Sequence, residues 1–133
     1  MRKLALFAAI LVFAPAFAWA DSATVASGAK TRITSHSRYD RECRASRLEI
    51  KIITPPAHGK VTSGPAPFVV AAKTARGGNQ PEQCVGKTVE GVAVYYQSKA
   101  DFVGQDSFRY RRVNPTDAND RFNAEISYTI TVK

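Results

Sequence analysis

The chain has 133 residues, a length that suits one small domain. Nineteen Lys and Arg against eleven Asp and Glu give a formal charge of +8, which favours anionic partners: glycans, phosphorylated lipid headgroups, nucleic acid or an acidic protein face. No segment beyond the first twenty residues is apolar enough to cross a bilayer, and a charge of this sign also serves simply to keep a small domain soluble.

Residues 1–20 read as a secretory leader. Arg2 and Lys3 open it, "LALFAAILVF" (4–13) is its apolar run, Pro15 ends that run, and "AWA" (18–20) offers small residues to a signal peptidase. Cleavage before Asp21 is expected. Ten apolar residues are too few to span about 30 Å of hydrocarbon. No cysteine follows directly, so the lipoprotein route is closed. Losing twenty residues leaves 113, and losing Arg2 and Lys3 lowers the formal charge from +8 to +6. Export from the cytoplasm, to a periplasmic or secreted destination, is therefore expected. In that oxidising setting the two cysteines, Cys43 and Cys84, are expected to pair.

Along the remaining chain no helical period of useful length occurs, whereas alternation with a period of two recurs. "KTRITSH" (30–36) is a first candidate strand. In "SHSRYDRECRASRLEIKI" (35–52) arginine returns every third residue, at Arg38, Arg41, Arg44 and Arg47, around Cys43. Its end, "RLEIKI" (47–52), puts Leu48, Ile50 and Ile52 on one face and Arg47, Glu49 and Lys51 on the other. "TPPAHGK" (54–60) and "SGPAP" (63–67) are breakers before a strand at "PFVVAAK" (67–73). The polar loop "ARGGNQPEQ" (75–83) leads to a strand at "TVEGVAVYYQS" (88–98). "DSFRYRRV" (106–113) alternates Phe108 and Tyr110 with Arg109 and Arg111. After "NPTDAND" (114–120), "AEISYTITVK" (124–133) turns Ile126, Tyr128, Ile130 and Val132 to one side. Six or seven short strands separated by turns predict an all-β antiparallel sandwich in one domain, 21–133.

Three stretches, "ITPPAHGKV" (53–61), "VYYQSKADFVGQDSFRYRRV" (94–113) and "ISYTITV" (126–132), carry a resemblance. The chain resembles bacterial immunoglobulin-like, cadherin-like repeats. Pro56, Gly59 and Val61 match their "P-x-x-G-x-V" turn. Tyr96, Phe102, Gly104, Asp106, Phe108 and Tyr110 match their "Y-x-P-x-x-x-F-x-G-x-D-x-F-x-Y" stretch. The resemblance covers about the last eighty residues and implies an immunoglobulin-like sandwich, of about seven strands for the domain 21–133. Ser98 stands where those repeats usually have proline, the 114–123 segment is longer than their usual turn, and the arginine series has no counterpart. On its own physics, Gly104 permits a positive φ in a tight turn and Asp106 accepts backbone hydrogen bonds there. Phe108 and Tyr110 then fill the space between sheets.

For catalysis the only histidines, His36 and His58, fall in separate expected loops, and nothing in the spacing suggests a triad or a carboxylate pair. No enzyme and no cofactor are expected. Asp117, Asn119 and Asp120 offer oxygen ligands at nearly alternate positions, but the turn glycine and distal glutamate of a calcium loop are missing, so an ordinary polar loop is expected rather than a metal site. Arg38, Arg41, Arg44, Arg47, Arg109 and Arg111 are the candidate anion-binding residues, since guanidinium suits carboxylate, sulfate or phosphate. The competing reading is a solvated segment held down by Cys43, with Asp40 and Glu42 neutralising part of it. Export, and the lack of exposed aromatics interleaved with these cations, disfavour nucleic acid. The expected role is non-catalytic binding of a protein or an anionic envelope glycan at the periplasm or cell surface. The alternative is a secreted inhibitor or accessory subunit of another exported protein.

Overall fold

A computed structural model of the chain describes residues 19–74 and 77–133. The expected leader lies outside the described residues as far as residue 18, as do Ala75 and Arg76 of the 75–83 loop. Seven strands follow one another: β1 (Trp19–Val25), β2 (Thr31–His36), β3 (Glu49–Thr54), β4 (Gly59–Val69), β5 (Thr88–Ser98), β6 (Gly104–Val113) and β7 (Ala124–Val132). They make a four-stranded sheet ordered β1-β7-β6-β3 and a three-stranded sheet ordered β2-β5-β4. β1 runs parallel to β7 and every other pair is antiparallel. β2-β5-β4 set against β7-β6-β3 is the B-E-D over G-F-C order of an immunoglobulin-type sandwich. The chain therefore forms the all-β sandwich expected of it, with Cys43 and Cys84 joined.

Alternation builds the interior. On β6, Asp106, Phe108 and Tyr110 are buried while Ser107, Arg109 and Arg111 are exposed. They meet Ile126, Tyr128, Ile130 and Val132 of β7, Val25 of β1, and Val94 and Tyr96 of β5. Burying each large apolar side chain is worth roughly 1.5–3 kcal/mol. The aromatic rings stack in near-parallel planes: Tyr96 on Phe108 at 6.2 Å, Phe108 on Tyr128 at 5.5 Å, and Tyr110 on Tyr128 at 6.3 Å between centroids.

One carboxylate ties the two sheets together. Gly104 has φ 142°, and two residues later Asp106 accepts the backbone N–H of Ala57 (3.0 Å), His58 (3.1 Å) and Ser107 (2.9 Å). The Tyr96 hydroxyl donates to the same carboxylate at 2.7 Å. Asp106 thus does more than close its own turn, because Ala57 and His58 belong to the 55–58 crossover between sheets. Burial, reinforced by the carboxylate, raises the Tyr96 pKa above its usual value.

Four local expectations change. β4 runs straight through "SGPAP", because it is a sheet edge where Pro65 and Pro67 need donate no ladder hydrogen bond, and it ends at Val69 before the rest of "PFVVAAK". β3 starts and ends two residues later than "RLEIKI". His36 closes β2 instead of sitting in a loop. β1 was not anticipated: it begins at the last residues of the expected leader and finds its hydrogen bonds on β7, over a hundred residues away.

β5 carries a second, smaller core. Val94 and Tyr96 face the other sheet, so Val89, Gly91 and Ala93 face outward, yet all three are buried. Segments 37–46 and 70–87 lie over them: Val70, Cys84 and Val89 cluster with Tyr39, Cys43 and Phe68. A Cβ on Gly91 would stand 2.7 Å from the His36 carbonyl of β2 and 3.1 Å from Phe68 Cβ of β4, so glycine is what lets β5 fit between its two neighbours there. The disulfide clasps the two covering segments, and this lobe roofs one half of the outer face of the three-stranded sheet.

Candidate functional site

The structure sends the six candidate arginines to two places. Arg38, Arg41 and Arg44 belong to the disulfide lobe, Arg47 lies between it and β3, and the four mostly face acids. Arg38 pairs with Asp120 at 2.7 Å, Arg44 with Asp40 at 2.9 Å and Glu42 at 3.6 Å, and Arg47 with Glu49 at 3.1 Å. The Arg41 carbonyl accepts from the Gln83 amide at 2.8 Å while its side chain is exposed. The Arg44 backbone N–H, helped by the guanidinium, holds the Asp40 carboxyl below the usual carboxylate range. The N–H of Phe122, then Asn114 and Arg38, do the same for Asp120.

Arg109 and Arg111 lie on the outer face of the four-stranded sheet. Register sets Lys51 opposite Arg111 and Thr54 opposite Arg109. Glu125 lies opposite Arg111 on the other side and pairs with Arg109 at 2.6 Å. Arg47, Lys51, Arg109 and Arg111 therefore share this face with Glu49 and Glu125, and cations alternate with acids. Lys51 and Arg111 are left without an ion pair among the described residues.

Both carboxylate oxygens of Asp120 and one of Asp117, in the 114–120 loop, are engaged within the protein. Asp120 accepts from Phe122 N–H at 2.9 Å and from Asn114 and Arg38 at 2.7 Å each. Asp117 accepts from Asn119 N–H at 2.9 Å. Among the described residues no group of three or more His, Cys, Asp and Glu is placed to hold a metal ion.

The histidines differ in setting. His58 is exposed and stacks on Phe102, centroids 4.2 Å apart. His36 Nε2 lies 2.7 Å from the Tyr110 hydroxyl. Burial, with the Arg112 charge behind it, lowers the His36 pKa to about 4. Unfolded, the same ring titrates near 6.5, so between these values the unfolded chain binds more protons than the folded one. Stability is therefore full above about pH 6.5 and falls as the pH drops towards 4, by about 3 kcal/mol. Urea unfolding of the wild type and His36→Gln across this range should show the loss shrinking in the variant; parallel curves would refute the assignment.

A different face holds cations that no acid balances. The half of the three-stranded sheet that the lobe leaves bare presents Arg32 opposite Tyr95, Tyr95 opposite Thr62, and Lys60 opposite Gln97. The Lys30 ammonium sits over the Tyr95 ring, 4.8 Å from its centroid. Lys99 joins Lys60, Gln97 and Ser98 around a shallow depression of about 360 Å³. Lys30, Arg32, Lys60 and Lys99 are all exposed, and none has an ion pair among the described residues. Tyr95 adds an aromatic surface beside these cations. Sequence reasoning passed over these residues because they are scattered at 30, 32, 60, 95 and 99. The one available signal was strand parity, which turns Lys30 and Arg32, or Lys60 and Thr62, to a common side. Comparison with protein-family models, curated proteins and solved structures returned no match to this chain.

Proposed function

We propose that the chain is a non-catalytic, immunoglobulin-like binding module of the bacterial envelope that holds an anionic glycan on the bare half of its three-stranded sheet. The observation that carries this reading is the cluster of Lys30, Arg32, Lys60 and Lys99 with no carboxylate partner among the described residues. Cations of one sign on a low-dielectric wall concentrate anions above them. Arg32 can take a carboxylate or sulfate with two parallel hydrogen bonds, and the lysines act as point charges. Thr62 and Gln97 lie between the cations; Thr62 offers a hydroxyl and Gln97, whose Nε2 donates to the Gly28 carbonyl at 2.9 Å, offers its amide oxygen to sugar hydroxyls. The Cys43–Cys84 disulfide is compatible with an oxidising compartment, as export requires.

The test is retention of the full chain on immobilised heparin and polyuronate against neutral dextran. Retention should be selective for the two polyanions and weaken with salt. Arg32→Glu with Lys60→Glu should weaken binding about tenfold, since two attractive surface contacts become repulsive. Arg109→Ala should leave it unchanged. Equal retention on dextran, or full retention in the double variant, would overturn the reading.

A further inference from the structure

On the opposite sheet β3 presents an unfinished edge. It pairs with β6 on one side and, among the described residues, with no strand on the other. Its inward row loses cover along its length: Leu48, just before the strand, is 8% exposed, Ile50 is half-buried, and Ile52 is 39% exposed. Ile53, at the register shift between Ile52 and Thr54, is 46% exposed. The alternation predicts Ile52 as a core residue, and its side chain does continue the core-facing row. It lacks a neighbouring strand to close the flank. β4, the edge of the other sheet on the same side of the sandwich, is blunted by Pro65 and Pro67, which have no N–H to donate. β3 has no proline within it.

We propose that the free edge of β3 accepts an extended acidic segment of a partner protein as an added strand. Main-chain hydrogen bonds to the open edge would give the affinity, and alternate side chains of the guest the specificity. Apolar guest residues on the inward side would cover Ile52 and lengthen the core row Leu48–Ile50–Ile52. Acidic residues on the outward side would meet Lys51 and Arg111, which stand opposite each other. The nearby acids are already taken, Glu49 by Arg47 and Glu125 by Arg109. The same charges argue against a second copy of this chain as the guest, because edge-to-edge pairing would bring Lys51 of each copy together. The site lies on the other sheet from the glycan surface and stands or falls independently of it.

The experiment is an NMR titration of the isotope-labelled full chain with a synthetic peptide of alternating glutamate and isoleucine. Two controls are a lysine–isoleucine peptide and the acidic peptide N-methylated at alternate amides. Shifts and gained exchange protection should centre on Glu49–Thr54, with the acidic peptide binding about tenfold tighter than the basic one. N-methylation on the pairing edge should abolish binding to the wild type, a readout that needs no variant to fold. Lys51→Glu with Arg111→Glu should reverse the preference to the basic peptide. The proposal is overturned by no binding, by shifts confined to the Lys30–Arg32–Lys60–Lys99 surface, by indifference to N-methylation, or by β3-mediated dimerisation without peptide.

Discussion

Asp106→Ala is expected to lower the unfolding free energy by about 4 kcal/mol, roughly half the stability of an ordinary domain of this size. The carboxylate takes four hydrogen bonds: from Ala57, His58 and Ser107 in the backbone and from the buried Tyr96 hydroxyl. Truncation leaves those donors facing an apolar methyl group. A buried donor without a partner costs about 1–3 kcal/mol, while donors near the surface recover part of this from water. Asp106→Asn should cost less, since an amide keeps one acceptor but turns a donor towards donors. Tyr96→Phe should cost only about 1 kcal/mol, because it removes one bond and leaves the crossover held. In a cycle of Asp106→Ala and Tyr96→Phe, followed by urea unfolding, the two changes should couple rather than add. A loss below about 1 kcal/mol for Asp106→Ala would show that the 55–58 crossover is held by other means.

Replacing both Cys43 and Cys84 by serine is expected to cost about 4 kcal/mol, the chain-entropy value for residues 41 apart in sequence. The melting temperature should fall by about 15 °C. The loss arises mainly in the unfolded chain, which gains conformations when the loop is released. A local effect adds to it, because the disulfide joins the two segments whose Tyr39, Cys43, Val70 and Cys84 cluster with Val89. Hydrogen exchange should accelerate at Val70 and around Val89 before it does at Phe108 or Ile130, which belong to the other core. A variant melting within a few degrees of the wild type would refute the entropic argument.

Much of the fold was legible because β5, β6 and β7 alternate apolar and polar residues, so parity alone places Tyr96, Phe108, Tyr110 and Ile130 inside. β4 was half hidden: proline is a breaker by local rules, and only the finding that β4 is an edge makes Pro65 and Pro67 tolerable. β1 was illegible for a different reason. Its strand partner is β7, far off in sequence, and short, small side chains such as Ala20, Ser22 and Ala23 carry no period. The surface was the least legible part. The arginine run is conspicuous in sequence, yet Arg38 meets Asp120 across 82 positions and Arg109 meets Glu125 across a hairpin. Lys30, Arg32, Lys60 and Lys99 never adjoin in sequence as a group, and strand register brings them to one face.

The near-parallel rings of Tyr96, Phe108, Tyr110 and Tyr128 give the sandwich a built-in optical gauge. Chromophores fixed face to face a few ångströms apart share their excited states, so their near-ultraviolet dichroism depends on mutual orientation and vanishes when that orientation averages out. A spectrometer can thereby distinguish true loss of packing between the sheets from mere loosening of the cystine-bound flap, without any label attached.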